Sequence, residues 1–125
     1  RADIYAVFPF DNKMTLLELT GKSLLKFFDY MASYMEPMSS GVRLTIKDGA
    51  VSSVTLNGKT IDPDAIYKVC TIDYLVESGR YAFDENIYRL DSVDYIYDLF
   101  CNQVKKAAAR GEQVQASIDD RVSEI

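Results

Sequence analysis

Val42-Arg43-Leu44-Thr45-Ile46-Lys47-Asp48-Gly49-Ala50-Val51-Ser52-Ser53-Val54-Thr55-Leu56 is the stretch whose reading decides the fold. Val42, Leu44 and Ile46 alternate with Arg43, Thr45 and Lys47, the period-two pattern of a strand with one apolar and one wet face. Asp48-Gly49 is hairpin-turn chemistry, so the partner strand runs from Ala50 to Leu56 and stops at Asn57-Gly58. A ribbon of this kind must bury its apolar face against other elements.

Upstream, Thr20-Gly21 opens an amphipathic helix in which Leu24, Leu25, Phe27, Phe28, Met31, Ala32 and Met35 recur at three- and four-residue spacings. Thr20 is placed to act as N-cap for an orphan amide. Pro37 and Ser39-Ser40-Gly41 end the helix in a small-residue loop, where the backbone can turn sharply or approach a ligand. Further upstream, Ile4 to Phe10 and Lys13 to Leu19 read as two strands of a hairpin across Asp11-Asn12, with a bulge or break near Pro9.

Downstream, after Lys59 to Ile61 and the turn Asp62-Pro63-Asp64, the run Tyr67 to Ile72 is apolar enough for a central strand. Between Asp73 and Asn86 periodicity is lost, although Tyr74, Gly79, Tyr81 and Phe83 lie there, and loops of this make-up are where binding residues gather. A second long helix is expected from about Ser92 to Arg110, with Val93, Ile96, Tyr97, Phe100, Val104, Ala107 and Ala108 on one face and Gly111 beyond its end. Gln113 to Ile118 and Arg121 to Ile125 read as a final strand pair or one returning strand. With no repeat or linker, residues 1–125 read as one α+β domain: a mixed, largely antiparallel sheet with two main helices.

The chain has 125 residues, 48% hydrophobic and 26% charged, enough for a core without metal or disulfide staples. Its formal charge of -5 is the wrong sign for a protein held mainly by phosphate backbones, so nucleic acid is not an expected partner. No apolar run approaches the roughly 20 residues that span a bilayer. The chain opens at Arg1 without an initiator methionine or a signal-peptide pattern, which reads as a processed end. Cys70, in a strand-like run, and Cys101, in a helical run, read as buried free thiols, with a disulfide as the alternative.

There is no histidine. Zinc and two-metal hydrolase centres, Ser/His/Asp triads and Cys/His pairs all lean on imidazole as ligand or base, so this chain is not expected to break bonds alone. The acidic pairs Asp62/Asp64, Asp84/Glu85, Asp91/Asp94 and Asp119/Asp120 fall mostly in turns and at helix starts, where carboxylates are solvated or capping. No GxxxxGK or GxGxxG loop is present. An aromatic excess remains, nine Tyr and six Phe. Phe27, Phe28 and Phe100 sit at helical core spacing and Tyr67 in a strand, whereas Tyr81 and Phe83 lie in the aperiodic segment and are the rings whose position favours binding.

An ordered series of phrases resembles the C-terminal domain of the 5′-nucleotidases. It begins with Val7-Phe8-Pro9-Phe10-Asp11-Asn12 and with Leu17-Glu18-Leu19-Thr20-Gly21 leading into a helix. It continues through Ser40-Gly41-Val42-Arg43-Leu44, Val51 to Lys59, Asp62-Pro63, Tyr67-Lys68-Val69 and Thr71 to Leu75, and closes at Asp120-Arg121-Val122. The resemblance implies a division of labour: an N-terminal metallophosphatase domain holds two metal ions and hydrolyses, while this domain recognises base and ribose between two aromatic rings. It thus implies no cofactor in this chain, divalent metals in the partner domain, and a periplasmic or extracellular setting.

Carried over residue by residue, the resemblance assigns substrate contact to Phe83 or Tyr81, Gly79, Ser40, Gly41 and Tyr34. The family's glycine-rich loop reads here Val76-Glu77-Ser78-Gly79-Arg80-Tyr81-Ala82-Phe83, with Ser78 for one glycine and Arg80 for an acid. Before Ser40-Gly41 the family's other ring has no direct counterpart in Glu36-Pro37-Met38-Ser39, and Tyr34 is the nearest. The expected function is nucleotide or nucleoside recognition for a 5′-nucleotidase-like hydrolase. The alternative is a scaffold domain that docks a catalytic partner and has lost nucleotide binding.

Overall fold

The computed structural model describes residues 2–7, 9–34, 41–113 and 120–125. Helix α1 (Ala2–Val7) leads to strand β1 (Lys13–Thr20), helix α2 (Gly21–Ala32), strands β2 (Val42–Lys47), β3 (Ala50–Leu56), β4 (Lys59–Thr60) and β5 (Ile66–Ile72). Helix α3 (Asp73–Glu77), a 3₁₀ turn (Ala82–Glu85), strand β6 (Tyr88–Tyr95), helix α4 (Ile96–Ala109) and strand β7 (Val122–Glu124) follow. The α+β class with antiparallel and mixed pairing stands, but the strands divide into two sheets. One has three strands in the order β5-β1-β6, the other four in the order β4-β3-β2-β7.

The β2–β3 hairpin forms as its alternation dictates, from Val42 opposite Leu56 to Lys47 opposite Ala50, with a bulge near Ile46. Asp48 and Gly49 take φ of 53° and 77°, and Asn57 and Gly58 take 50° and 79°, so both turns have the positive φ pair that matches strand twist. β7 joins β2 in parallel. At the start of α2 the Thr20 hydroxyl accepts from the Ser23 amide at 3.2 Å, as a cap should. A Cβ on Gly21 would stand 1.8 Å from the Asp62 carbonyl oxygen, so only glycine lets the helix start against the 62–65 turn.

Helix α2 is the wall shared by both sheets. Leu24, Phe28 and Ala32 pack on Val42, Leu44, Ile46 and Ile61 of the four-stranded side. Met31 joins Leu17 and Leu19 of β1 with Val76, Tyr81 and Phe83.

Several expectations are corrected. The strand expected from Ile4 to Phe10 is absent among its described residues: α1 occupies Ala2–Val7, and both edges of β1 are paired with β5 and β6 instead. Pro9 lies in the connection rather than in a ladder. β5 is an edge strand, not a central one; β1 has the central place. The second long helix begins at Ile96, not Ser92, because Tyr88–Tyr95 is drawn into pairing with β1, leaving Val93 91% exposed instead of on a helical core face. Cys101 is buried as expected, but Cys70 is exposed, and both are free thiols. Most of the strand expected at Gln113 to Ile118 lies outside the described residues, and Arg121 to Ile125 contributes β7.

Candidate functional site

The segment expected to be an aperiodic loop is ordered by local chemistry. α3 runs to Glu77, the Ser78 hydroxyl donates to the Leu75 carbonyl at 2.9 Å, and the Arg80 amide donates back to that hydroxyl at 3.3 Å. Gly79, at φ +67°, supplies the left-handed residue that turns the chain away from the helix end. That turn sends Tyr81 and Phe83 inward instead of out to solvent. Phe83 is 1% exposed and Tyr81 8%, and the segment expected to lack periodic structure holds a short helix and a 3₁₀ turn.

Five rings form a continuous run. Tyr34, 60% exposed, meets Tyr30 at a centroid distance of 5.1 Å. Tyr30 meets Tyr81 edge-on at 4.8 Å, Tyr81 meets Phe83 at 5.4 Å, and Phe83 stacks on Phe27 at 4.9 Å with 28° between planes. These are ordinary offset and edge geometries for aromatic pairs. The run passes from solvent at Tyr34 to the core at Phe83. Tyr30 has its phenol held above the usual tyrosine range, chiefly by its hydrogen bond with Tyr34 and then by burial.

A polar tie holds the same segment to α2. Glu85 accepts from the Ser23 hydroxyl and from the Lys26 ammonium, both at 2.6 Å, and its carboxyl is held below the usual range by Lys26 first and Ser23 second. A second tie joins α3 to the three-stranded sheet. Arg89 donates through Nε and Nη2 to the two oxygens of Asp91 at 3.0 Å each and through Nη2 to Glu77 at 3.1 Å. The buried Thr15 hydroxyl donates to Asp91 at 2.7 Å.

Beside the rings lies an open groove of about 580 Å³, bounded by α2, β5, Leu75, Tyr81, Phe83 and the ends of the first hairpin at Val42 and Leu56. Its walls are mostly apolar and aromatic, suited to stacking and apolar contact. Among the described residues no three His, Cys, Asp or Glu side chains come together as metal ligands do.

Of the residues singled out in the sequence, Tyr34, Tyr81 and Phe83 thus share one aromatic run, and Gly79 shapes the turn that aims two of them. Gly41 sits at the head of β2, where its carbonyl accepts from the Asn57 amide at 2.7 Å and a Cβ would meet the Asn57 side chain at 2.6 Å. Ser40 lies outside the described residues. Sequence reasoning missed Tyr30 and treated Phe27 only as core. Their spacing with Tyr34, at i, i+3 and i+7 of the helix expected from the sequence, was the available signal.

Comparison with known proteins agrees with this fold. Over 84 residues the chain is 30% identical to a 5′-nucleotidase of Vibrio vulnificus, a match that takes in 62% of this chain and 15% of that protein. Over 82 residues it is 24% identical to the protein UshA of Escherichia coli, again with 15% of the relative covered. A 5′-nucleotidase precursor from Thermus thermophilus superposes with a TM-score of 0.79 at 21% identity, over 98% of this chain and 27% of that one. The NAD nucleotidase of Haemophilus influenzae superposes with a TM-score of 0.72 at 19% identity, over 98% of this chain and 26% of that one. The chain therefore spans about 15% of the length of the curated relatives it matches. Residues 1–85 match the family described as 5′-nucleotidase, C-terminal domain, and the chain belongs to that family.

Proposed function

We propose that residues 1–125 serve as one substrate-recognition domain of a 5′-nucleotidase-like phosphohydrolase. Hydrolysis falls to a metallophosphatase domain, in the same polypeptide or another, which holds the divalent metals. The observation that supports this reading is the run of rings from exposed Tyr34 to Tyr81 and Phe83, at the position of the family's base-binding loop and beside an apolar groove. Stacking of a base on an aromatic ring contributes about 1–3 kcal/mol, and Tyr34 is the ring with an open face. The setting that goes with this reading is periplasmic or extracellular, as the family resemblance implies; no helix among the described residues is long and apolar enough to cross a membrane.

Adding adenosine or AMP to isotope-labelled protein tests this reading through its amide spectrum. Shifts at Tyr34 and from Gly79 to Asp84 at millimolar ligand are expected. A silent spectrum would favour the second reading, a scaffold domain that docks a catalytic partner. The observation on that side is Phe83, whose face is already taken by Phe27 at 4.9 Å. Retention of a metallophosphatase chain on the immobilised domain would then be the expected result.

A further inference from the structure

The run of rings ends in a polar cluster. Tyr34, whose amide donates to the Met31 carbonyl at 3.1 Å, sets its ring against Tyr30 and is otherwise open to solvent, at 60% exposure. The Tyr30 phenol is held above its usual range first by its hydrogen bond with Tyr34, as happens to a donor, whose neutral form the bond favours. The hydroxyl proton of Tyr34 is thereby left for a ligand.

Arg80 stands at the same end. It is exposed, and its backbone is set between Gly79, at φ +67°, and buried Tyr81, whose ring meets Tyr30 edge-on at 4.8 Å. Its charge reaches the Tyr30 phenol, where it opposes the rise. The carboxylates close to it in sequence are engaged elsewhere: Glu77 accepts from Arg89 at 3.1 Å, and Glu85 accepts from Lys26 and Ser23 at 2.6 Å each. Among the described residues no carboxylate closes an ion pair with Arg80.

We infer that the open ring of Tyr34 and the guanidinium of Arg80 together select a 6-oxopurine base, guanine or hypoxanthine, over adenine. This inference rests on the nucleotide-recognition reading above and names the base. Stacking on a ring is tolerant of which base lies there, so discrimination falls to the base edge. A guanidinium only donates, through a planar fork. The O6 and N7 of a 6-oxopurine are two acceptors side by side and take both prongs, whereas adenine sets its N6 amino donor against the same fork. A pyrimidine offers at most one acceptor on that edge.

The test titrates the full isotope-labelled chain with AMP, GMP, IMP and the 7-deaza analogue of GMP, which share ribose and phosphate and differ only in the base. Followed at the Tyr34 and Arg80 amides, GMP and IMP should bind about fivefold or more tighter than AMP, and loss of N7 should remove most of that gain. Arg80→Ala, a change at an exposed side chain, should bring GMP to the level of AMP and leave AMP unchanged, while Tyr34→Ala should weaken all four alike. Equal binding of all four by the parent would leave the recognition reading standing and overturn the choice of base. So would an equal loss for AMP and GMP in Arg80→Ala, which would put the guanidinium on the phosphate they share. Silence with every nucleotide would remove the recognition reading itself, and the inference with it.

Discussion

The ring of Phe83 lies over the ring of Phe27, centroids 4.9 Å apart and planes 28° apart, and so fastens the 3₁₀ turn to the middle of α2. Phe83 also belongs to the cluster that holds Leu17 and Leu19 of β1, and it is 1% exposed. One side chain therefore joins a sheet, a helix and the segment that carries Tyr81.

Truncating it should cost what a buried aromatic costs. Phe83→Ala is expected to lower unfolding free energy by about 3–5 kcal/mol, read from the urea midpoint. Tyr34→Ala, at the solvent end of the same run, should stay within about 0.5 kcal/mol of the parent. If the two variants unfold together, the run is not anchored at Phe83.

Gly21→Ala should be far more damaging than Gly49→Ala. At Gly21 the new methyl meets the Asp62 carbonyl at 1.8 Å, and the turn that would have to move holds the Gly21 and Lys22 amides at 2.8 and 3.0 Å. A cost of about 1–3 kcal/mol or more is expected from such overpacking. At Gly49, with φ +77° and nothing within 4 Å, only backbone strain of about 1 kcal/mol applies. Thermal unfolding of the two variants side by side is the measurement.

The Glu85 carboxyl, held low by Lys26 and Ser23, gives a pH signature. A carboxyl with a lowered folded pKa adds stability above its unfolded pKa, and that share is lost as pH falls through the folded value. The Tm advantage of the parent over Glu85→Gln should thus be full at neutral pH and shrink as pH falls below about 4. Because the pair is exposed the advantage is small. A difference that stays constant into acid would show that the carboxylate is not the cause.

Asp91 is held low first by Arg89 and then by Thr15. Arg89→Ala should therefore raise the Asp91 titration midpoint, followed by its carboxyl carbon resonance, and Thr15→Val should raise it less. The reverse order would displace Arg89 as the main partner.

Cys70 is exposed and Cys101 is 3% exposed. Native protein should release the colour of one thiol with a disulfide reagent, and the other only in denaturant. Two fast thiols would place Cys101 outside the core.

Legibility in the sequence followed how local the deciding physics was. The β2–β3 hairpin was readable because its alternation and its Asp48-Gly49 turn lie within one short segment, and the start of α2 because Thr20 caps it over three residues. The stretch from Ser92 to Tyr95 was taken for the head of a helix, since what makes it the end of a strand is pairing of Tyr88–Tyr95 with β1, far away in the chain. Ile4 to Phe10 failed in the opposite sense: its β-rich composition predicted a hairpin with β1, whose two edges are taken by β5 and β6. At the candidate site the sequence pointed to Tyr34, Tyr81 and Phe83 but not to the burial of Tyr81 and Phe83, which depends on the turn at Gly79 and on Phe27 and Tyr30 one helix away.

The central place of β1 also sets a timetable. Its two neighbours, β5 and β6, come much later in the chain, so a nascent polypeptide leaves Leu17 and Leu19 without their sheet until residues as far as Tyr95 have emerged. Pairings this distant in sequence close slowly. The apolar strand that ends up innermost is thus the one longest exposed to chaperones and to neighbouring chains during synthesis.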